Sequence, residues 1–210
     1  MRDRIAILLL AAAVLPAATF TVGGDDPGSW PLILQSVGFG AGAPARVFVI
    51  TEGAKAEPEA WLPRIEQGAT VVLEGDSPLA RALGFQPSPA LEPVQSIVDE
   101  HRPKLPIVWE RAIRLPTYAT PEGARIFARE RWRQAPLLAG LRRGQGAVLW
   151  AAVSPGATGT ERFPYFVHAL AAMGVEPPVR SGRLWAFFDS SYRSRADAGY
   201  LAARWRKAGI

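Results

Sequence analysis

Five side chains stand where a strand–helix protein places its chemistry. Asp25 and Asp26 follow one short apolar run, and Glu74, Asp76 and Ser77 follow another. Carboxylates gathered along one sheet edge can hold a divalent cation through oxygen, or hydrogen-bond the hydroxyls of a sugar. A serine there becomes a nucleophile only with a histidine base in reach and an acid to orient it. The chain has two histidines, His101 and His168. His101 lies in the charged run Asp99-Glu100-His101-Arg102, and His168 falls off the apolar stripe of its helix, so neither is placed to serve Ser77. The segment also lacks the Gly-x-Ser-x-Gly elbow. Local roles are simpler: Asp before Pro-Gly shapes a turn, and Ser77 before Pro78 caps a helix. No catalytic residue, metal set or cofactor is assigned. Asp25, Asp26, Glu74, Asp76 and Ser77 stand as ligand-binding candidates. Asp189 joins them, because it closes a late strand beside Tyr192 and Arg193, where a carboxylate in a barrel-type module acts on or binds sugar.

The elements that must position these residues follow from periodicity. Thr19 to Val22 reads as a strand. Ser29 can cap a helix from Trp30 to Val37, with Trp30, Ile33, Leu34 and Val37 facing the core. Arg46 to Thr51 is a second strand and Pro58 to Gln67 a second helix. Val71 to Glu74 and Pro78 to Leu83 form a third strand–helix unit, with Glu74-Gly75-Asp76-Ser77 as its turn. Three such units predict right-handed crossovers and a parallel sheet, whose ligand crevice lies at the strand ends. From Gln86 to Pro121 there are seven prolines. The extended runs among and just beyond them (Val94 to Val98, Ile107 to Trp109, Ile113 to Tyr118, Arg125 to Ala128) read as hairpin or edge decoration. Pro136 to Leu141 and Ala147 to Val153 read as paired strands around the turn Gly144-Gln145-Gly146. Ser154 to Gly159 is a loop with room for a small ligand. Thr160 caps a helix from Glu161 to Met173, with Phe163, Phe166, Val167 and Leu170 inward. Arg183 to Phe188 and Ala196 to Ala208 make a last strand–helix unit. It ends almost at once, at Ile210, so the natural protein is expected to continue and this unit to open a second module.

Composition narrows the classes. The absence of cysteine excludes disulfides, thiolate metal sites and thiol nucleophiles. Met1 to Thr19 has Arg2 and Arg4 before an apolar run and small residues after it, the layout of a signal peptide. The expectation is export, periplasmic or extracellular, with a membrane contact only through an uncleaved leader. The net charge is +5, unevenly spread. Asp25 to Glu100 holds 11 acidic and 4 basic residues, while Arg102 to Arg143 holds 10 basic and 3 acidic. Either the two stretches attract each other in the fold, or the second forms a basic face for an anionic polymer or membrane surface. Nucleic acid is not expected. Of the seven tryptophans, Trp30, Trp61 and Trp205 fit core periodicity, and of the other four Trp109 and Trp132 are the better exposed candidates for stacking on sugar.

Three stretches, GGDDPGSWPLILQSVGF, ATVVLEGDSPLARALGF and GQGAVLWAAVSP with ERFPYFVHALAAMG, resemble the class I glutamine amidotransferase-like domains. The likeness is to non-catalytic members at the N-terminus of exported carbohydrate-active or polysaccharide-deacetylase-like proteins. It implies an α/β, flavodoxin-like three-layer parallel sheet with a β-rich insertion, plus a truncated C-terminal β/α unit. The implied domains are a signal peptide at 1–18, the amidotransferase-like domain at 19–178 and the start of a barrel-like module at 179–210. Catalytic members carry a cysteine on the elbow, and this chain has none, so amidotransferase activity does not follow. The expected role is an accessory binding or scaffold domain in polysaccharide processing or envelope carbohydrate metabolism, with a polysaccharide or another envelope component as partner. The alternatives are a hydrolase acting on carbohydrate or ester through the Ser77 and carboxylate edge, and an envelope module that binds anionic polymer through its basic face.

Overall fold

Two uninterrupted β-branched and apolar runs, Val47–Ile50 (β3) and Thr70–Glu74 (β4), form the middle of a sheet buried on both faces. A computed structural model describes residues 18–155 and 164–178, together with 199, 203 and 204. The chain divides into two units, Met1–Pro178 and Val179–Ile210, and the architecture below is that of the first. Strand β1 (Thr19–Gly23) lies beside β3, and a two-residue strand, β2 (Gly40–Ala41), flanks β1 on its other side. The chain runs between these strands through α1 (Trp30–Ser36) and α2 (Pro58–Glu66), while α3 (Pro78–Ala82) follows β4. Because α1 leads towards β2 and α2 leads the opposite way, towards β4, right-handed crossovers put them on opposite faces. Trp30 of α1 meets Phe166 of α4 (Pro164–Ala172) edge to face at 4.9 Å, and α2 lies against α3.

Beyond β4 the sheet changes direction. Strands β5 (Gln86–Asp99), β6 (Ile107–Ala119), β7 (Arg125–Glu130), β8 (Pro136–Arg143) and β9 (Gly146–Ala151) complete nine strands among the described residues, in the order β2-β1-β3-β4-β9-β8-β7-β5-β6. Pairings from β2 to β9 are parallel, and those from β9 to β6 antiparallel. This corrects the flavodoxin-like parallel sheet and its β-rich insertion. The proline-rich segment decorates nothing; it continues the same sheet as an antiparallel half, joined through β9. The prolines are tolerated because β6 is the edge strand, the proline-bearing part of β5 pairs with β6 and not with β7, and the register slips between Pro87 and Leu91 and again between Val94 and Ser96. The same irregularity, with Glu110, Arg111 and Arg114 on β6, blunts an otherwise open edge.

Two further expectations change locally, and that for Trp132 holds. Ser29 makes no side-chain cap bond. Trp109 is buried, at 2% exposure, because Ile107 and Trp109 alternate with exposed Val108 across the strand; its indole N–H has no hydrogen-bond partner among the described residues. Trp132 is exposed at 66%. The leader, Thr160, Phe163, Trp205, Asp189 and the strand read at Arg183 to Phe188 lie outside the described residues. Among those described, no helix is long and apolar enough to cross a membrane.

Candidate functional site

The strand order 2-1-3 makes the chain leave β1 in one direction and resume beyond it in the other, which opens a crevice at the carboxyl ends of β1 and β3. A pocket of about 390 Å³ sits there, lined by Gly23, Gly24, Asp25, Ile50, Lys55 and Trp61 among others. Gly24 adopts φ +121°, and a Cβ on it would run into the Thr51 hydroxyl, so the loop floor requires glycine. Trp61 is held from behind: Phe48 meets it edge-on at 5.5 Å and the Arg64 guanidinium lies 4.4 Å from its ring centre. The pocket therefore offers a fixed aromatic wall with one carboxylate and one ammonium.

The other expected residues do not join Asp25 there. Asp26 accepts a hydrogen bond from the Gly28 amide at 2.8 Å, closing its own turn. Ser77 caps α3, its hydroxyl accepting from the Ala80 amide at 3.0 Å. Asp76 takes the Arg81 guanidinium at 2.8 Å, and that bond holds its carboxyl below the usual range. Glu74 is 2% exposed. It accepts from the Trp30 indole at 2.5 Å and from the Glu52 amide at 3.1 Å, and Ser154 also bonds to it. Burial raises its pKa, these three hydrogen bonds oppose the rise, and the Glu52 carboxylate adds to it. Glu74 is thus a buried tie between β4, α1 and the β9–α4 connection. Nearby, Tyr118 is pushed up to about 12 by burial and then by the Asp76 and Glu52 carboxylates. No group of three or more His, Asp or Glu side chains able to hold a metal exists among the described residues.

One constellation was not legible in the sequence. His101, just past β5, and His168, on α4, stack at 3.8 Å beside a pocket of about 270 Å³ that includes Asp99, Glu100, Arg125 and Tyr165. Asp99 accepts from the His101 amide at 2.9 Å, and Arg125 pairs with Glu100 at 3.1 Å. The only sequence signals are that His168 falls off the apolar stripe of its helix and that His101 lies in a charged run. His168 stays exposed on α4, so the effect is screened by solvent and small; partial burial lowers its pKa first, His101 and Arg102 lower it further, and Asp99 opposes them. A depressed histidine favours the neutral ring in the fold, so its contribution to stability is present above the unfolded value near 6.5 and is lost as pH falls through it. Thermal unfolding followed from pH 7.5 to 5 should show a falling Tm that is partly flattened in His168→Asn. An identical pH profile in that variant would refute the assignment.

Charge is arranged in pairs across the two biased stretches. Glu66, Glu92 and Glu100 meet Arg143, Arg133 and Arg125. Mutual attraction therefore accounts for part of the imbalance, at the modest strength of exposed pairs.

No protein-family model matches the chain, and no curated protein does. Solved structures do match. A β-galactosidase from Bacillus circulans sp. alkalophilus aligns with TM-score 0.54 and 14% identity over 79% of this chain and 32% of its own. A β-galactosidase from the Antarctic haloarchaeon Halorubrum lacusprofundi aligns with TM-score 0.50 and 12% identity over 77% of this chain and 31% of its own. A cytoplasmic protein from Salmonella typhimurium aligns with TM-score 0.52 and 13% identity over 75% of this chain and 98% of its own. At these identities the likeness is one of fold, and the chain spans about a third of the galactosidases' length. The structural neighbours thus include carbohydrate-active enzymes. The amidotransferase-like resemblance is corrected: no family model supports it, and the mixed sheet is not the one it implied. The association with polysaccharide-deacetylase-like proteins has no support either.

Proposed function

We propose that this chain is a non-catalytic, carbohydrate-related accessory domain that binds its ligand in the crevice between β1 and β3. The observation that carries the reading is the division of labour at the strand ends. Ser77, Glu74, Asp76 and Asp26 are committed to cap, tie, ion pair and turn, while Asp25, Lys55 and Trp61 line an open pocket. An indole edge with a carboxylate and an ammonium suits a sugar: apolar C–H groups pack on the ring, and hydroxyls bond to the charged pair. The fold shared with parts of β-galactosidases supports the class of ligand. Export through the leader belongs to the same proposal. Titration with neutral oligosaccharides by calorimetry should show binding that Trp61→Ala weakens at least about tenfold, with no turnover of aryl glycosides or esters. Hydrolysis at an enzyme-like rate, abolished by Ser77→Ala or Glu74→Gln, would replace this reading with the hydrolase one.

A further inference from the structure

The turn between β7 and β8 is built to hold one exposed indole still. Glu130, 1% exposed, turns its carboxylate back to accept from the amides of Trp132, at 2.8 Å, and Arg133. Its backbone pairs with Ala135 at 2.8 Å and accepts from the Gln134 amide at 3.0 Å. The Gln134 side chain donates to the Arg131 carbonyl at 2.8 Å, and Arg129 donates to the Gln134 carbonyl at 3.1 Å. Arg131 donates its amide to the Ser96 carbonyl at 2.9 Å, and Arg133 pairs with Glu92 at 3.3 Å, so the turn is also tied to β5. Gln134 holds φ +61°, a left-handed conformation that costs free energy in a non-glycine residue and persists only where its surroundings impose it. All this ordering presents Trp132, 66% exposed, with the Arg131 guanidinium over one face of the ring at 5.6 Å.

A buried carboxylate and a strained backbone are a large outlay for a loop tip that packs nothing. They do accomplish preorganisation, since an aromatic ring fixed before binding loses little entropy when a ligand arrives. With Arg133 matched by Glu92, the remaining exposed charge around it is positive. Arg129 and Arg131 have no carboxylate partner among the described residues, and the Glu130 carboxylate is turned inward. We propose that the Trp132 turn is a second binding surface, for an acidic polysaccharide. A pyranose ring stacks its apolar C–H face on the indole face away from Arg131, and the carboxylate of the next sugar along the polymer reaches past the ring edge to Arg131. The proposal takes its ligand class from the carbohydrate reading above and uses a different surface.

The test titrates the full chain with an oligogalacturonate and with an uncharged cello-oligosaccharide of equal length, at low and at high salt. Calorimetry and tryptophan fluorescence report binding. The acidic oligomer should bind, more weakly as salt rises. Trp132→Ala should weaken it at least about tenfold, Trp132→Tyr much less, and Arg131→Gln should remove most of the salt dependence. Trp132 is exposed, so an unchanged Tm will show that each variant folds. Absent binding of the acidic oligomer, binding indifferent to Trp132→Ala, or equal binding of the uncharged oligomer each overturns the proposal. If Trp61→Ala abolishes binding and Trp132→Ala does not, the Trp132 surface is refuted and the crevice reading stands.

Discussion

Trp150→Ala is expected to cost about 4 to 5 kcal/mol of unfolding free energy, enough to leave a domain of this size marginal or unfolded. Trp150 sits in β9, the strand that joins the two halves of the sheet, and it is fully buried. Phe85 stacks on it at 4.8 Å and Tyr118 tilts against it at 4.6 Å. Its indole donates to the Gly75 carbonyl at 2.8 Å, the turn that follows β4. Truncation opens a cavity and also orphans that carbonyl, so two penalties add. Trp150→Phe fills most of the volume and loses the hydrogen bond, which should cost about 2 kcal/mol. Urea unfolding of both variants separates the terms. A loss under about 1.5 kcal/mol for Trp150→Ala would show that this junction does not hold the sheet together.

The second large effect is expected at Gly146, where β9 begins. A Cβ there would collide with the backbone carbonyls of Ile65 and Ala69. Backbone cannot yield as a side-chain tip can, so Gly146→Ala forces α2 and the entry to β4 away from β9 and should cost about 3 kcal/mol. Gly40→Ala is the control, because its Cβ would meet only the Thr19 methyl at an ordinary 3.5 Å. Equal midpoints for the two variants in urea would refute the close approach.

The parallel half was legible because its signals are local. Runs such as Val47–Ile50 and Thr70–Glu74 can only be strands buried on both faces, and proline marks the start of α2 and α3. Ser77 was readable as a cap for the same reason. In the antiparallel half the β8–β9 pair and the hairpin at the edge follow from local signals; that they continue the parallel sheet through β9 does not, because the join is the long-range pairing of β9 with β4, which no local pattern records. Alternation carries one further signal: Ile107 and Trp109 flank an exposed Val108, so the tryptophan points inward. The candidate site depended on distant partners. Glu74 meets Trp30 across 44 residues, and the histidines meet only once β5 and α4 have packed.

The position of β9 also decides the order in which this protein can be made. Its parallel neighbour β4 leaves the ribosome early, yet every residue from β5 to β8 must be synthesised before β9 exists to cover it. Through that interval β4 shows an apolar, hydrogen-bond-hungry edge to the cell. The β8–β9 hairpin is the earliest pair that can close it, because its turn is short and its contacts are local. Folding should therefore wait on one late, long-range docking step, in a chain whose first helices are ready long before.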